Sequence, residues 1–342
     1  QPQAEKIGQV ARFVERIGTG DRPEQFLRAA LQQVSGLPAP GVETSVRQLR
    51  SSDDGRWLAA VAEEDRTIRV WDAEQAPRLG TPQTLAGHSH EISDIAFAPG
   101  GQELASADWN GELRRWRLTN EGAFALSSSV AKEQSLHLVR YSPDGRWLAT
   151  AGQGPTVWLW HAAPSRVDST SASPGPASAD PADPLATDHA HALSGHGERV
   201  THLQFSPNGR LLATVGLDGQ LRLWRLEETT ASELALPDSK FGSVVHRVAF
   251  SPDGRFLAVA GADGDSIEAS SVLRMWRLAT DDPAAGDKLA AAEEPLEVAA
   301  HDMAFRNDGS QMATASGDGM LRLWDLPADQ PPTARELGIF AE

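Results

Sequence analysis

Six times along the chain the same order recurs: an apolar burst, a tight turn of Ser-Pro-Asp-Gly type, a second burst, and a third burst that closes on tryptophan. The closing positions are Trp71, Trp116, Trp160, Trp224, Trp276 and Trp324, a period of about 45 that lengthens between Trp160 and Trp276. The fullest copy, "SGHGERVTHLQFSPNGRLLATVGLDGQLRLWRL", runs from Ser194 to Leu226. Within it Leu203 and Phe205, then Leu212 and Thr214, then Leu221 and Leu223 alternate as strands do. The Pro-Asn-Gly turn combines a fixed φ with a residue that accepts positive φ, and Asp218-Gly219 supplies the next hairpin. Self-similarity at such a period means that each unit is one supersecondary element, unable to bury its apolar face except by stacking on a neighbour.

Two intervals exceed the period. The longer contains "APSRVDSTSASPGPASADPADPLATDHA", too poor in apolar bulk to offset its ordering entropy, so a flexible loop is expected over 163–190. The other contains "DGDSIEASS", which predicts a projecting hairpin between Ala262 and Val272. Residues 1–41 lie outside the repeat. Ile7, Val10, Phe13, Val14 and Ile17 share a helical face, and Phe26, Leu27, Ala30, Leu31 and Val34 form a second stripe behind an Asp21/Glu24 capping box. A helical N-terminal arm, or a linker from an upstream domain, is expected there, followed by one repeat domain over 42–342.

The copies resemble the Trp-Asp (WD) repeat family of β-propellers. Gly87-His88 and Gly195-His196 match its Gly-His pair, and Trp71-Asp72 and Trp324-Asp325 match its closing dipeptide, whereas Trp224-Arg225 and Trp160-His161 depart from it. The resemblance implies an all-β WD-repeat β-propeller with six recognisable blades, closed by six or by seven, a seventh drawing on "TARELGIF" near the C-terminus. It also implies a structural polar chain in each blade, mapping here onto Trp224, Thr214, His196 and Asp218. Other copies lack members: Ala60 stands at the hydroxyl position of the first, Gly154 at the aspartate of the third, and Asn110 at the aspartate of the second, beside His88 and Ser106.

His, Asp and a hydroxyl are also the ingredients of nucleophilic catalysis, but nothing in the repeat supplies an exposed nucleophile or an oxyanion site. No catalytic residue, cofactor or metal is expected. His189 and His191 with Asp188 have metal-ligand spacing, as do Asp263, Asp265 and Glu268, yet they fall in a low-complexity segment and an acidic hairpin without a full ligand motif. The chain carries 31 basic and 47 acidic residues, a net charge of −16, so neither nucleic acid nor anionic membrane is an expected partner. It has no cysteine, which excludes disulfides and thiolate chemistry and suits the cytoplasm.

One further pattern marks a surface. Four residues before the Phe or Tyr that ends the first apolar burst stand Ser93, His137, Thr201, His246 and His301, and Arg47 holds the equivalent place before Ser51 in the first copy. The first strands of a propeller line its channel, so these residues would ring one mouth. Trp109, one residue before Asn110, occupies a hairpin position that no blade requires and is expected to be exposed near that ring. The expected function is a non-enzymatic interaction or sensing platform. Its partner would be a protein or peptide, such as an effector domain upstream in the same polypeptide, meeting Arg47, Trp109, His137, Thr201, His246 and His301. The alternative is a ligand- or metal-binding, or hydrolytic, propeller that uses the histidines at the mouth.

Overall fold

The repeated turn shows how the sequence makes its elements. In the computed structural model the Ser52 hydroxyl donates to Asp54 Oδ1 at 2.5 Å and accepts the Trp57 N–H at 2.9 Å, while Asp54 Oδ1 accepts the Arg56 N–H at 3.0 Å. Gly55 completes the turn at φ 71°. Ser142/Asp144, Ser206/Asn208 and Ser251/Asp253 repeat the arrangement. A Ser followed two residues later by Asp or Asn therefore fixes the hairpin through side-chain bonds to backbone, with or without proline.

The structure describes residues 46–63, 65–73, 81–119, 122–131, 134–162, 190–236, 239–242, 245–262, 271–278, 300–316, 320–327 and 332–339. Among them the strands form five four-stranded sheets and one three-stranded sheet, all antiparallel. The first sheet is β1 (Val46–Ser51), β2 (Trp57–Ala62), β3 (Thr67–Asp72) and β4 (Gln83–Ala86) in that order. The second is β5 (Ile92–Phe97), β6 (Glu103–Asp108), β7 (Glu112–Leu118) and β8 (Phe124–Ala131). The third has the order β12-β11-β10-β9, from β9 (Leu136–Tyr141), β10 (Trp147–Gly152), β11 (Val157–His161) and β12 (Ala190–Leu193). The fourth is β13 (Val200–Phe205), β14 (Leu211–Gly216), β15 (Leu221–Leu226) and β16 (Ala231–Leu234). The fifth is β17 (Val245–Phe250), β18 (Phe256–Ala262) and β19 (Ser271–Arg277), and the sixth is β20 (Asp302–Phe305), β21 (Gln311–Ala315), β22 (Met320–Asp325) and β23 (Thr333–Ile339).

"TARELGI" is thus the outer strand of the sixth sheet, paired in register from Asp325↔Thr333 to Met320↔Ile339, and not part of a seventh. The 1–41 arm, residues 163–189 of the expected loop and residues 263–270 of the expected hairpin lie outside the described residues, while Ala190 and Ser271 begin strands.

Contacts divide the described residues into two compact units, those up to Tyr141 and those from Ser142 onward. In the first, Trp57, Val61, Ile68 and Leu85 of one sheet pack with Ile92, Ile95, Leu104 and Trp116 of the next. In the second, Leu223 of the fourth sheet meets Val248, Leu257 and Trp276 of the fifth, and Phe256 and Met275 of the fifth meet Met312 and Trp324 of the sixth. Second strands such as β2 and β10 are buried at every position, because a sheet packed on both faces has no solvent side. That demands small residues beside the large ones, as in "WLAAVA" and "WLATAG". Adjacent turns also nest: a Cβ on Gly309 would lie 2.2 Å from Asp253 Oδ2, and one on Gly209 would lie 2.5 Å from Asp144 Cγ.

Candidate functional site

Among the described residues two polar chains are complete. In the fourth sheet the Trp224 indole N–H donates to Thr214 Oγ1 at 2.9 Å, Thr214 meets His196 Nε2 at 2.9 Å, and His196 Nδ1 lies 3.1 Å from Asp218. The Asp218 carboxylate only accepts, so His196 carries its proton on Nδ1 and its Nε2 accepts from the Thr214 hydroxyl, which in turn accepts the indole N–H. The second sheet repeats this with Trp116, Ser106 and His88 at 2.8 and 2.6 Å, but His88 Nδ1 meets Asp108 at 3.1 Å, not Asn110.

Register keeps Asn110 at the aspartate position where the sequence placed it and shows where the second carboxylate comes from. Ala107↔Leu113 and Val215↔Leu221 are equivalent pairs, which makes Asn110 the counterpart of Asp218 and places Asp108 in the slot of Gly216. A Cβ on Gly216 would fall 2.9 Å from His196 Nδ1, so a short carboxylate from that slot reaches the same nitrogen. The third and sixth sheets keep the indole–hydroxyl bond, Trp160–Thr150 at 3.2 Å and Trp324–Thr314 at 3.0 Å, and in the first the Trp71 indole N–H has no hydrogen-bond partner among the described residues.

The chain ties pH to stability. Burial, only partly offset by the Asp218 carboxylate, holds His196 below its ordinary 6.5, whereas backbone N–H groups of Gly197 and Gln220 together with His196 outweigh burial and hold Asp218 below 3.8. A histidine depressed in the fold binds protons more readily unfolded. Stability is therefore expected to be full above pH 6.5, to fall as pH drops through 6.5 toward the lower folded value, and to fall again below pH 3.8 as Asp218 protonates. Denaturant unfolding of wild type and His196→Asn across pH checks this. A difference profile without a step below pH 6.5 would mean that His196 protonates in the fold at no cost.

His88, Asp108 and Glu112 also place three ligand atoms within 4.8 Å of one another. A metal on Nδ1 would force the His88 proton onto Nε2, so that Ser106 Oγ would accept from both His88 and Trp116 and its own proton would lose the acceptor it has in His88. Glu112 is itself held by Arg114 Nε at 2.7 Å and Ser89 N at 3.3 Å. These residues fit a hydrogen-bond chain better than a metal.

Three of the predicted surface residues, Arg47, Thr201 and His246, share a structural position with Ser93. Pairing slips between Val46 and Gln48, Ile92 and Asp94, Val200 and His202, and Val245 and Arg247. Arg47, Ser93, Thr201 and His246 are thus the extra residues of β-bulges, which break the alternation that the sequence led us to expect and re-aim a side chain. Ser93 and Thr201 spend their hydroxyls on the facing strand, donating to Ala107 O at 3.0 Å and Val215 O at 3.2 Å. That gives Thr201 a structural bond at its own bulge.

Trp109, Arg47 and His137 form one group in the first unit, and His246 and His301 another in the second. Arg47, exposed, sets its guanidinium 5.0 Å from the Trp109 ring centre, and His137 meets the same ring edge-on at 4.3 Å and 70°. Trp109 is consequently half-buried, and not the free aromatic expected from its hairpin position. In the second unit His246 and His301 lie 4.9 Å apart, tilted by 42°, and burial followed by the neighbouring His301 holds His246 below its ordinary 6.5.

Sequence reasoning missed a buried clasp in the first unit. Asp94 Oδ1 accepts from Arg50 Nη2 at 3.3 Å and from Ile95 N at 3.0 Å, and Oδ2 accepts from Val139 N at 3.1 Å and from Arg140 Nη1. It joins the first strands of three successive sheets. The signal was present: charged residues within otherwise apolar first strands, at Arg50, Asp94 and Arg140. Nearby, Arg115 grips Glu103 through two bonds of 2.6 and 2.9 Å, and Tyr141 donates to the same carboxylate at 2.5 Å.

No described helix is long and apolar enough to cross a membrane. The family model "WD domain, G-beta repeat" matches residues 32–72, 80–117, 133–161, 187–225, 237–265 and 297–325, more than half of the chain. Among similar proteins, "Protein LST8 homolog" of Drosophila melanogaster is 27% identical over 188 residues, 55% of this chain and 54% of the relative. "Target of rapamycin complex subunit wat1" of Schizosaccharomyces pombe is 25% identical over 177 residues, 51% of this chain and 49% of the relative. The aligned part of the chain thus spans about half the length of each. A solved structure titled as a putative 6-phosphogluconolactonase from Bacteroides fragilis shares the fold at TM-score 0.57 and 15% identity, covering 84% of this chain and 82% of its own. With six matched repeats, six sheets and the polar chains of two of them in place, the chain belongs to the WD-domain, G-beta-repeat family of β-propellers.

Proposed function

We propose that this protein is a non-enzymatic interaction platform that presents the Arg47–Trp109–His137 cluster to a protein or peptide partner. The observation that carries the reading is Trp109 itself: a large aromatic on a hairpin, held between a guanidinium and an imidazole where another blade manages with Leu217. Tryptophan and arginine at a half-buried position are the residues that dominate binding energy at interfaces. A relative whose name makes it a complex subunit points the same way. The lactonase title of a fold neighbour at 15% identity speaks to fold alone. Unrelated functions share such folds. In this reading the protein serves signalling or sensing assemblies in the cytoplasm.

Affinity capture from cells that express the protein natively tests it, with wild type against Trp109→Ala. The variant is expected to bind a captured partner more weakly by at least about 2 kcal/mol while its melting temperature stays close to that of wild type. Full-strength binding by a folded Trp109→Ala protein would place the site elsewhere.

A further inference from the structure

The first strands of the first unit carry a charge opposite to that of the molecule. Across β1, β5 and β9 the charged residues are Arg47, Arg50, Asp94 and Arg140, three arginines against one aspartate, in a chain of net charge −16. Asp94 is spent on two of them, Arg50 and Arg140. Three other carboxylates near the Trp109 hairpin are engaged, Asp65 by Arg69 at 3.3 Å, Asp108 by His88 at 3.1 Å and Glu112 by Arg114 at 2.7 Å, while Glu91 accepts the Trp109 N–H through its backbone carbonyl at 3.1 Å. Arg47 is left exposed over Trp109 with no carboxylate partner among the described residues, and His137 flanks the same ring.

From this juxtaposition we infer that the partner segment received at Arg47, Trp109 and His137 is acidic, an extended peptide whose Asp or Glu carboxylates pair with Arg47 while its apolar atoms lie against Trp109. The inference rests on the interaction-platform reading and names the chemistry of what that platform takes. Three features support it. A guanidinium held against an indole keeps its N–H fork in one plane, the geometry that grips a carboxylate through two bonds. A positive island on an acidic surface selects against basic partners, which the rest of the molecule would attract without specificity. The long-range field of the chain opposes an acidic peptide, but at physiological ionic strength that field is screened beyond about 8 Å, so local contacts decide.

A fluorescein-labelled oligoglutamate peptide is the probe, with oligoglutamine and oligolysine of equal length for comparison, read by fluorescence anisotropy on the full chain. Oligoglutamate is expected to bind saturably and oligoglutamine at least about tenfold more weakly. Arg47→Gln is expected to weaken oligoglutamate binding by at least about tenfold, whereas Arg210→Gln, at an exposed turn before β14, leaves it unchanged. Because Arg47 is exposed, its substitution is not expected to unfold the protein, and a thermal melt verifies this. Absence of oligoglutamate binding to wild type, or equal binding by Arg47→Gln, overturns the inference. If natural-partner capture still depends on Trp109 in that case, the platform reading survives and only the acidic character is wrong; if capture is indifferent to Trp109, both fall.

Discussion

Trp276→Ala is expected to lower the stability of the folded protein by about 3–5 kcal/mol. The indole is fully buried, opposite Leu257 in the β18–β19 pairing, and its ring meets Phe241 edge-on at 6.2 Å and 66°. Its contacts join the fourth sheet to the fifth through Leu223, Val248 and Leu278. Removing it leaves a cavity between two sheets whose backbones are fixed by their own ladders, so little collapse can fill it. Trp276→Phe, which keeps part of the volume, should cost less. The measurement is the denaturant midpoint at constant slope. A loss below about 1 kcal/mol would show that the sheets close on the gap and that their spacing is not rigid.

Asp94→Ala is expected to cost about 2–4 kcal/mol, the second-largest effect. The carboxylate is buried and accepts four hydrogen bonds, so its loss strands the N–H groups of Ile95 and Val139 as well as two guanidinium groups. The Arg50 and Arg140 side chains remain 24% and 31% exposed, and water can solvate them. That keeps the cost below the full penalty for a buried unpaired charge. Asp94→Asn retains one acceptor oxygen and should fall between wild type and Asp94→Ala. Denaturant unfolding of the three proteins checks the order. Equal stability of all three would mean that the arginines pair equally well with water and that the clasp contributes nothing.

The sequence reading was incomplete at two places for one kind of reason. Asn110 sits at the same distance from its tryptophan as Asp218 does, so spacing alone made it the replacement for the aspartate of the second blade. Only the register of β6 against β7 showed that Asp108 reaches His88 from the slot that Gly216 leaves empty in the fourth blade. The first strands likewise read as simple alternation. A one-residue bulge in four of them turned Arg47, Ser93, Thr201 and His246 off that pattern, and a bulge has no signature in a strand of ordinary composition.

By itself the sequence determined the repeat, the number of legible blades, the strand content and the side-chain-bonded turns, because each depends on residues within a few positions of one another. Ser52 and Asp54, or Ser251 and Asp253, meet across two residues whatever the rest of the chain does. Tertiary structure decided everything that crosses blades. It set Asp94 of β5 between Arg50 of β1 and Arg140 of β9, Arg47 over Trp109, and His246 beside His301. These partners stand far apart in the chain, and their meeting depends on how one sheet stacks on the next, a relation that local propensity does not encode.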